Sequence, residues 1–212
     1  MSSRKDVHLK LHWSPRSPFV RKVMIFAHET GLAERFERVR SVVAMAKPNA
    51  ALMRDNPLSK LPTLVLDDGQ ALFDSLVICE YLDSLHGGAP LLPASGPERW
   101  EVLRWHALGN GHLDLLILWR NERDREPQRQ LQALLDAFAV KHAATLARLE
   151  QEAAALDAAP FRLGHIAIVC ALGYLDFRFA GMDWRSGHPR LAAWFEKQMQ
   201  RPSVRMTVPV DA

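Results

Sequence analysis

Only two of the 212 residues are cysteine, and Cys79 and Cys170 stand far apart. Neither belongs to a CxxC pair or a zinc-ligand spacing, so no disulfide framework or thiolate metal site is expected and both read as buried core thiols. Long apolar runs are also missing. The longest, Ile166 to Leu175, holds ten residues including Gly173, where a membrane-crossing helix needs about 20. Met1-Ser2-Ser3-Arg4-Lys5-Asp6 leads into a polar-interrupted stretch without the apolar core of a signal peptide, which makes a cytoplasmic location the expectation. Blocks of like charge are absent too. The 27 basic and 24 acidic residues are interspersed and leave a net charge of +3; this argues against a nucleic-acid binder and suits a small anionic substrate equally well. With no low-complexity tract and 48% apolar residues, the chain is globular and long enough for one large domain or two small ones.

What is present divides the chain in two. Val7-His8-Leu9-Lys10-Leu11-His12-Trp13 alternates apolar and polar, the mark of a half-buried strand, and Ser14-Pro15-Arg16-Ser17-Pro18 ends it. From Phe19, apolar residues at 19, 20, 23, 24, 26 and 27 form one helical stripe that stops at Gly31. A weak strand is predicted at Phe36–Arg40, then a loop with a short helix across 41–57. Leu61–Leu66 and Gln70–Phe73 flank Asp67-Asp68-Gly69 as a hairpin. A helix follows from Ser75 to about His86, with Val77, Ile78, Tyr81, Leu82 and Leu85 on its buried face. Gly87-Gly88-Ala89-Pro90, Pro93 and Pro97 mark a linker. Beyond it strand signals cease, and 98–124, 128–156, 163–180 and 189–200 read as helices bounded by Pro97, Pro127, Pro160 and Pro189. Strand–helix alternation followed by helices alone predicts an α/β domain over 1–87, a linker over 88–97 and an all-α domain over 98–212.

Three segments carry a family resemblance. Ser14-Pro15-Arg16-Ser17-Pro18-Phe19-Val20-Arg21-Lys22-Val23 looks like a strand-to-helix corner, Asn56-Pro57-Leu58-Ser59-Lys60-Leu61-Pro62-Thr63-Leu64 like an NP-x-x-K-[VIL]-P-x-L stretch, and Phe73-Asp74-Ser75-Leu76-Val77-Ile78-Cys79-Glu80-Tyr81-Leu82 like an acidic-Ser-x-x-I-x-x-Y-L helix start. In this order and spacing they resemble the cytosolic glutathione transferase superfamily, in particular its bacterial serine-type members. Ala171–Arg178, Trp194-Phe195 and Arg201-Pro202-Ser203 are similar to the family's helical domain. The resemblance implies a thioredoxin-like N-terminal domain that binds glutathione and an all-α C-terminal domain that shapes the second-substrate site. One departure is visible. Relatives open their buried helix with Ser or Thr followed three residues later by Asp, whereas Arg162-Leu163-Gly164-His165 stands here. A lost cap is expected, at a cost of about 1 kcal/mol of stability.

Residue by residue, the resemblance implies that Ser17 holds the glutathione thiolate, with Ser14 as the rival. Chemistry fits that role: a free thiol with a pKa of about 8.5 is mostly protonated at neutral pH, its anion is the nucleophile, and a helix N-terminus favours an anion. A plain N-cap is the alternative reading of Ser17. Leu61-Pro62 is implied to be a cis step whose Leu61 main chain pairs with the tripeptide, and Lys60 to reach its glycine carboxylate. Asp74 and Ser75 are implied to bind the γ-glutamyl amino and carboxylate groups, which is compatible with capping the helix. Trp13, Arg16, Arg120 and Arg123 are candidate second-substrate contacts; a solvated helix face is the alternative for the last two. His106 and His112 read as structural, without ligand spacing or partner.

The reading is a transferase that ionises glutathione for attack on a small, hydrophobic electrophile. Glutathione is a co-substrate, with no resident cofactor and no metal expected. No cysteine occupies the corner, which argues against mixed-disulfide chemistry. Conjugation, dehalogenation, isomerisation and peroxide reduction remain open. A non-catalytic, transferase-like binding or regulatory protein is the other reading. A homodimer is implied by the resemblance, with Asp114 a candidate contributor to the neighbour's site.

Overall fold

The computed structural model describes residues 9–211. Val7 and His8, the first two positions of the predicted opening strand, lie outside them, as do residues 1–6. The described chain forms two compact units. One runs to Leu92 and regains the chain from Met206; the other is Pro93–Arg205.

The first unit is a four-stranded mixed sheet with two helices. Its elements are β1 (Leu9–Trp13), α1 (Pro18–Glu29), β2 (Phe36–Arg40), β3 (Thr63–Val65), β4 (Ala71–Leu72) and α2 (Ser75–Asp83). The sheet order is β2-β1-β3-β4. β1 and β2 run parallel, joined through α1 as parallel strands require, and the remaining pairs are antiparallel. Leu9, Leu11 and Leu64 have no exposed surface. β1 breaks its alternation at His12, which is buried as well because its ring is hydrogen-bonded on both sides. α1 differs from the single stripe expected of it: Pro18 and every residue from Val20 to Ala27 are buried, Arg21 and Lys22 included. The buried face of α2 also differs. Ser75, Ile78, Cys79 and Leu82 point inward at i, i+3, i+4 and i+7, while Val77 is 44% exposed.

The second unit is helical: α3 (Pro97–Arg123), α4 (Gln132–Ala158), α5 (Leu163–Arg178), α6 (Pro189–Met199) and α7 (Pro202–Arg205). A 3₁₀ turn at Pro127–Arg129 precedes α4, which starts four residues later than the apolar pattern suggests. α5 is the core, buried at every residue from Leu163 to Leu175. Two glycines bring it against α3. A Cβ on Gly109 would stand 2.7 Å from backbone atoms of Ala167 and Ile168, and one on Gly164 would stand 2.8 Å from Trp105 Cβ and the Val102 carbonyl.

The start of α5 corrects the expected loss of its cap. His165 Nδ1 accepts from the Arg162 N–H at 3.2 Å and Nε2 donates to the Leu156 carbonyl at 3.1 Å. An imidazole thus returns to the N-cap main chain as an acidic residue would. Burial pushes its pKa down to about 4, so the neutral ring that this geometry needs is the one present at neutral pH. His112 is also corrected: its Nε2 lies 2.9 Å from Nδ1 of His142. Cys79 and Cys170 are buried and not joined to any cysteine, as the sequence suggests. No described helix is long and apolar enough to cross a membrane.

Candidate functional site

Strand register gathers three of the predicted segments at one end of the sheet. β1 pairs His12 with Thr63, so the Ser14–Ser17 corner leaves β1 where Leu61-Pro62 enters β3. β3 pairs Leu64 with Leu72, which brings β4 out at that same end, immediately before Asp74-Ser75. Two helices therefore present their N-termini beside the opening of β3.

At the first helix, Ser17 is the N-cap of α1, with extended φ and ψ of −80° and 118° and Pro18 in the first turn. Its Oγ accepts from the Val20 N–H at 3.3 Å, while its own N–H donates to the Ser14 carbonyl at 3.2 Å. Ser14 Oγ accepts from the Arg16 N–H at 3.4 Å. Each hydroxyl is used here as an acceptor, which leaves its proton for donation to a ligand. Both serines are half-buried.

The peptide bond between Leu61 and Pro62 is cis. Among the described residues, no hydrogen bond occupies the N–H or C=O of Leu61. The approach to this step is held by Asn56, 1% exposed, a residue the sequence reading passed over. Its Nδ2 donates to Thr63 Oγ1 at 2.9 Å and to the Lys60 carbonyl at 3.3 Å, and its Oδ1 accepts from the Leu58 N–H at 3.0 Å. Thr63 Oγ1 donates to the same Lys60 carbonyl at 3.0 Å. The Lys60 main chain is thus fixed while the residue stays exposed.

At the second helix, Asp74 caps α2 by accepting from the Leu76 N–H at 3.0 Å. Ser75 is 1% exposed, and its Oγ accepts from Lys22 Nζ at 2.9 Å. Lys22 has no exposed surface and lies 5.3 Å from the centroid of Phe19. It is a second residue to which sequence reasoning gave no role. The available signal was a lysine set among apolar positions of α1, where a solvated side chain has no room. A second cluster, His12 with Ser41 at 2.9 Å and Asp55 at 2.7 Å, ties β1 to the segment after β2. The hydrogen bond from His12 holds the Asp55 carboxyl below its usual range. Ser41 Oγ is turned to the Val39 carbonyl at 3.3 Å and its residue is buried, so the trio braces the corner.

The remaining candidates fall outside this cradle. Trp13 is half-buried with the Arg38 guanidinium 5.8 Å from its ring, and Arg16 is exposed and paired with Asp211 at 3.3 Å. Arg120 and Arg123 lie near the end of α3 in the helical unit. Arg120 donates to the Tyr174 hydroxyl at 3.1 Å, and Arg123 donates to the Arg178 carbonyl at 3.3 Å while stacking over Phe179 at 4.4 Å. No group of three or more His, Cys, Asp or Glu able to hold a metal occurs among the described residues.

Chemically, two helix N-termini favour anions, and the free main chain of Leu61 can pair with an extended peptide as a short added strand. The family model described as glutathione S-transferase, N-terminal domain, matches residues 16–85, and the one described as glutathione S-transferase, C-terminal domain, matches 132–197. An uncharacterized GST-like protein, YibF of Escherichia coli K12, is 32% identical over 96% of this chain and 100% of its own length. A crystal structure of a glutathione transferase family member from Pseudomonas fluorescens Pf-5 with bound glutathione is 46% identical, with a TM-score of 0.93 over 96% of this chain and 100% of that one. A second structure from that bacterium, with bound S-(propanoic acid)-glutathione, is 44% identical with a TM-score of 0.89 over the same shares.

Proposed function

The chain belongs to the glutathione S-transferase family, and from this we propose that it is a serine-type glutathione transferase acting on a small electrophile. The observation that carries the reading is the cis Leu61–Pro62 step, its Leu61 main chain unspent, at the sheet end where two capped helices begin. Glutathione is a tripeptide with a carboxylate at each end, an ammonium group beside one of them and a thiol between. Leu61 pairs with the main chain of its cysteine, Lys60 reaches the glycine carboxylate, and Asp74 and Ser75 take the γ-glutamyl amino and carboxylate groups. Lys22, donating to Ser75 Oγ, fixes that hydroxyl from beneath.

The thiol then lies at the N-terminus of α1. The Ser17 hydroxyl donates a hydrogen bond to the thiolate sulfur, which together with the helix dipole lowers the thiol pKa so that its proton is lost to solvent. The thiolate attacks an electrophilic carbon; a C–S bond forms and the leaving group departs with the electron pair, or a double bond accepts it. The protein contributes ionisation and proximity, without a covalent enzyme intermediate. Trp13, Arg16, Arg120 and Arg123 are the proposed contacts for the second substrate, and the working form is a homodimer. Ligands of the P. fluorescens neighbours, glutathione and an S-carboxyalkyl derivative of it, support this reading.

Titration calorimetry with glutathione, followed by ultraviolet absorbance of the bound thiolate across pH, tests it. Saturable binding with a thiol pKa at least one unit below that of free glutathione is expected. Absence of binding at millimolar glutathione would overturn the assignment.

A further inference from the structure

A lysine without exposed surface is rare unless a partner holds its ammonium group. Lys22 on α1 is such a residue, and its Nζ donates to Ser75 Oγ, at the start of α2, at 2.9 Å. The ammonium group has three donors and no acceptor, so the direction of this bond is fixed. A hydroxyl by itself can donate or accept. With Lys22 behind it, the Ser75 oxygen is the acceptor of this pair and its own proton must point elsewhere. Among the described residues no acceptor takes that proton. The Ser75 N–H is in the same position: it belongs to the first turn of α2, where an N–H has no partner within the helix. Asp74, immediately before it, offers the opposite polarity. One of its oxygens accepts from the Leu76 N–H at 3.0 Å, and the other has no hydrogen-bond partner among the described residues.

Neighbouring residues at this helix start therefore present donors at 75 and an acceptor at 74. The bond from a buried cation also polarises the Ser75 O–H and strengthens what it gives to an anion. Capping alone does not call for such a cation, because Asp74 already caps α2. Lys22 has no exposed surface and Ser75 has 1%, so any effect of the lysine on a ligand passes through the serine. We propose that Lys22 is a positioning residue that locks the Ser75 hydroxyl as a donor, so that this end of α2 selects thiols whose γ-glutamyl group carries a free α-carboxylate. The proposal rests on the transferase reading above and adds to it the residue that sets this selectivity.

Two ligands distinguish the outcomes: glutathione, and 4-aminobutanoyl-cysteinyl-glycine, which is glutathione without the γ-glutamyl α-carboxylate. Each is titrated calorimetrically into the full chain. Glutathione is expected to bind about tenfold or more tightly, the size of one hydrogen bond to a charged group. Lys22→Met, which keeps an apolar side chain in the buried site, should remove most of that ratio, and Ser75→Ala should do the same. Adding Lys22→Met to Ser75→Ala should then change the ratio by less than about twofold, because the lysine acts through the hydroxyl. A lysine needed only for packing would weaken both ligands together and leave their ratio as it was, and that result overturns the role. Equal affinity of the unmodified protein for the two ligands also overturns it and leaves the transferase reading standing, a comparison that needs no variant to fold. Failure to bind glutathione at all overturns both.

Discussion

Ser17 and Ser14 sit three positions apart with their oxygens used in the same way, each accepting from a backbone N–H two or three residues on. What separates them is that Ser17 is the residue at the positive end of α1. Ser17→Ala is expected to raise the bound thiol pKa by at least one unit and lower kcat/KM about tenfold to a hundredfold, the range of a hydrogen bond to a charged group. Ser14→Ala should change neither by more than about twofold. Because Ser17 also caps the helix, its removal should cost about 1 kcal/mol of stability in a denaturant titration. A reversed order of the two variants would move the thiolate role to Ser14. The residue types at this corner, at Lys60-Leu61-Pro62 and at Asp74-Ser75 were legible from the chain as motifs. Lys22 and Asn56 were not. A lysine inside an apolar stripe reads as a solvated interruption until its partner, 53 residues away, is seen at 2.9 Å.

Elements carry a different kind of constraint. α5 is held by a histidine in the place of an acidic cap, and a histidine titrates where an aspartate does not. Its pKa is pushed down to about 4 in the folded chain, from an unfolded value of about 6.5. A depressed folded value means that this contribution is complete above the unfolded pKa and is lost as pH falls toward 4. Over that window it amounts to roughly 3 kcal/mol, as an order of magnitude. Buried His112, pushed down to about 3, adds a loss of the same sign that continues lower. Thermal unfolding followed from pH 7.5 to pH 4.5 should show a steep fall below 6.5. His165→Asn, which keeps an acceptor and does not titrate, should start about 1 kcal/mol less stable and fall less steeply; an unchanged slope would remove His165 from this account. The α3–α5 crossing makes a second demand. Gly109→Ala sets a methyl group against the backbone of α5 rather than against a movable side chain, so about 1–3 kcal/mol of destabilisation is expected in denaturant unfolding.

Across the whole molecule, the chain divides near Leu92, inside the proline- and glycine-rich stretch that the sequence marks as a linker, and it returns to the first unit from Met206. That return has no pattern to announce it. The segment after α7 is short and irregular, and its placement includes an ion pair between Asp211 and Arg16, nearly 200 positions apart. The apolar surface of the helical unit includes Trp100, Leu118 and Val140, which are 69%, 48% and 70% exposed. Exposed side chains of this size fit an association surface. Sedimentation equilibrium is expected to give twice the 24.0 kDa chain mass, and a monomer at micromolar concentration would refute the homodimer.

Periodicity, prolines and three short motifs decided the class of each unit, the order of its elements and the candidate residues of the proposed glutathione cradle, because these follow from local steric preference and from which side chains can be buried. Contacts that no local pattern announces were settled only in three dimensions. Lys22 beneath Ser75, His165 turned back on Arg162 and the Arg120–Tyr174 pair each join groups whose polarity, taken alone, would place them in water. Burial of such groups is tolerable only when a partner meets them, and which partner arrives is a property of packing.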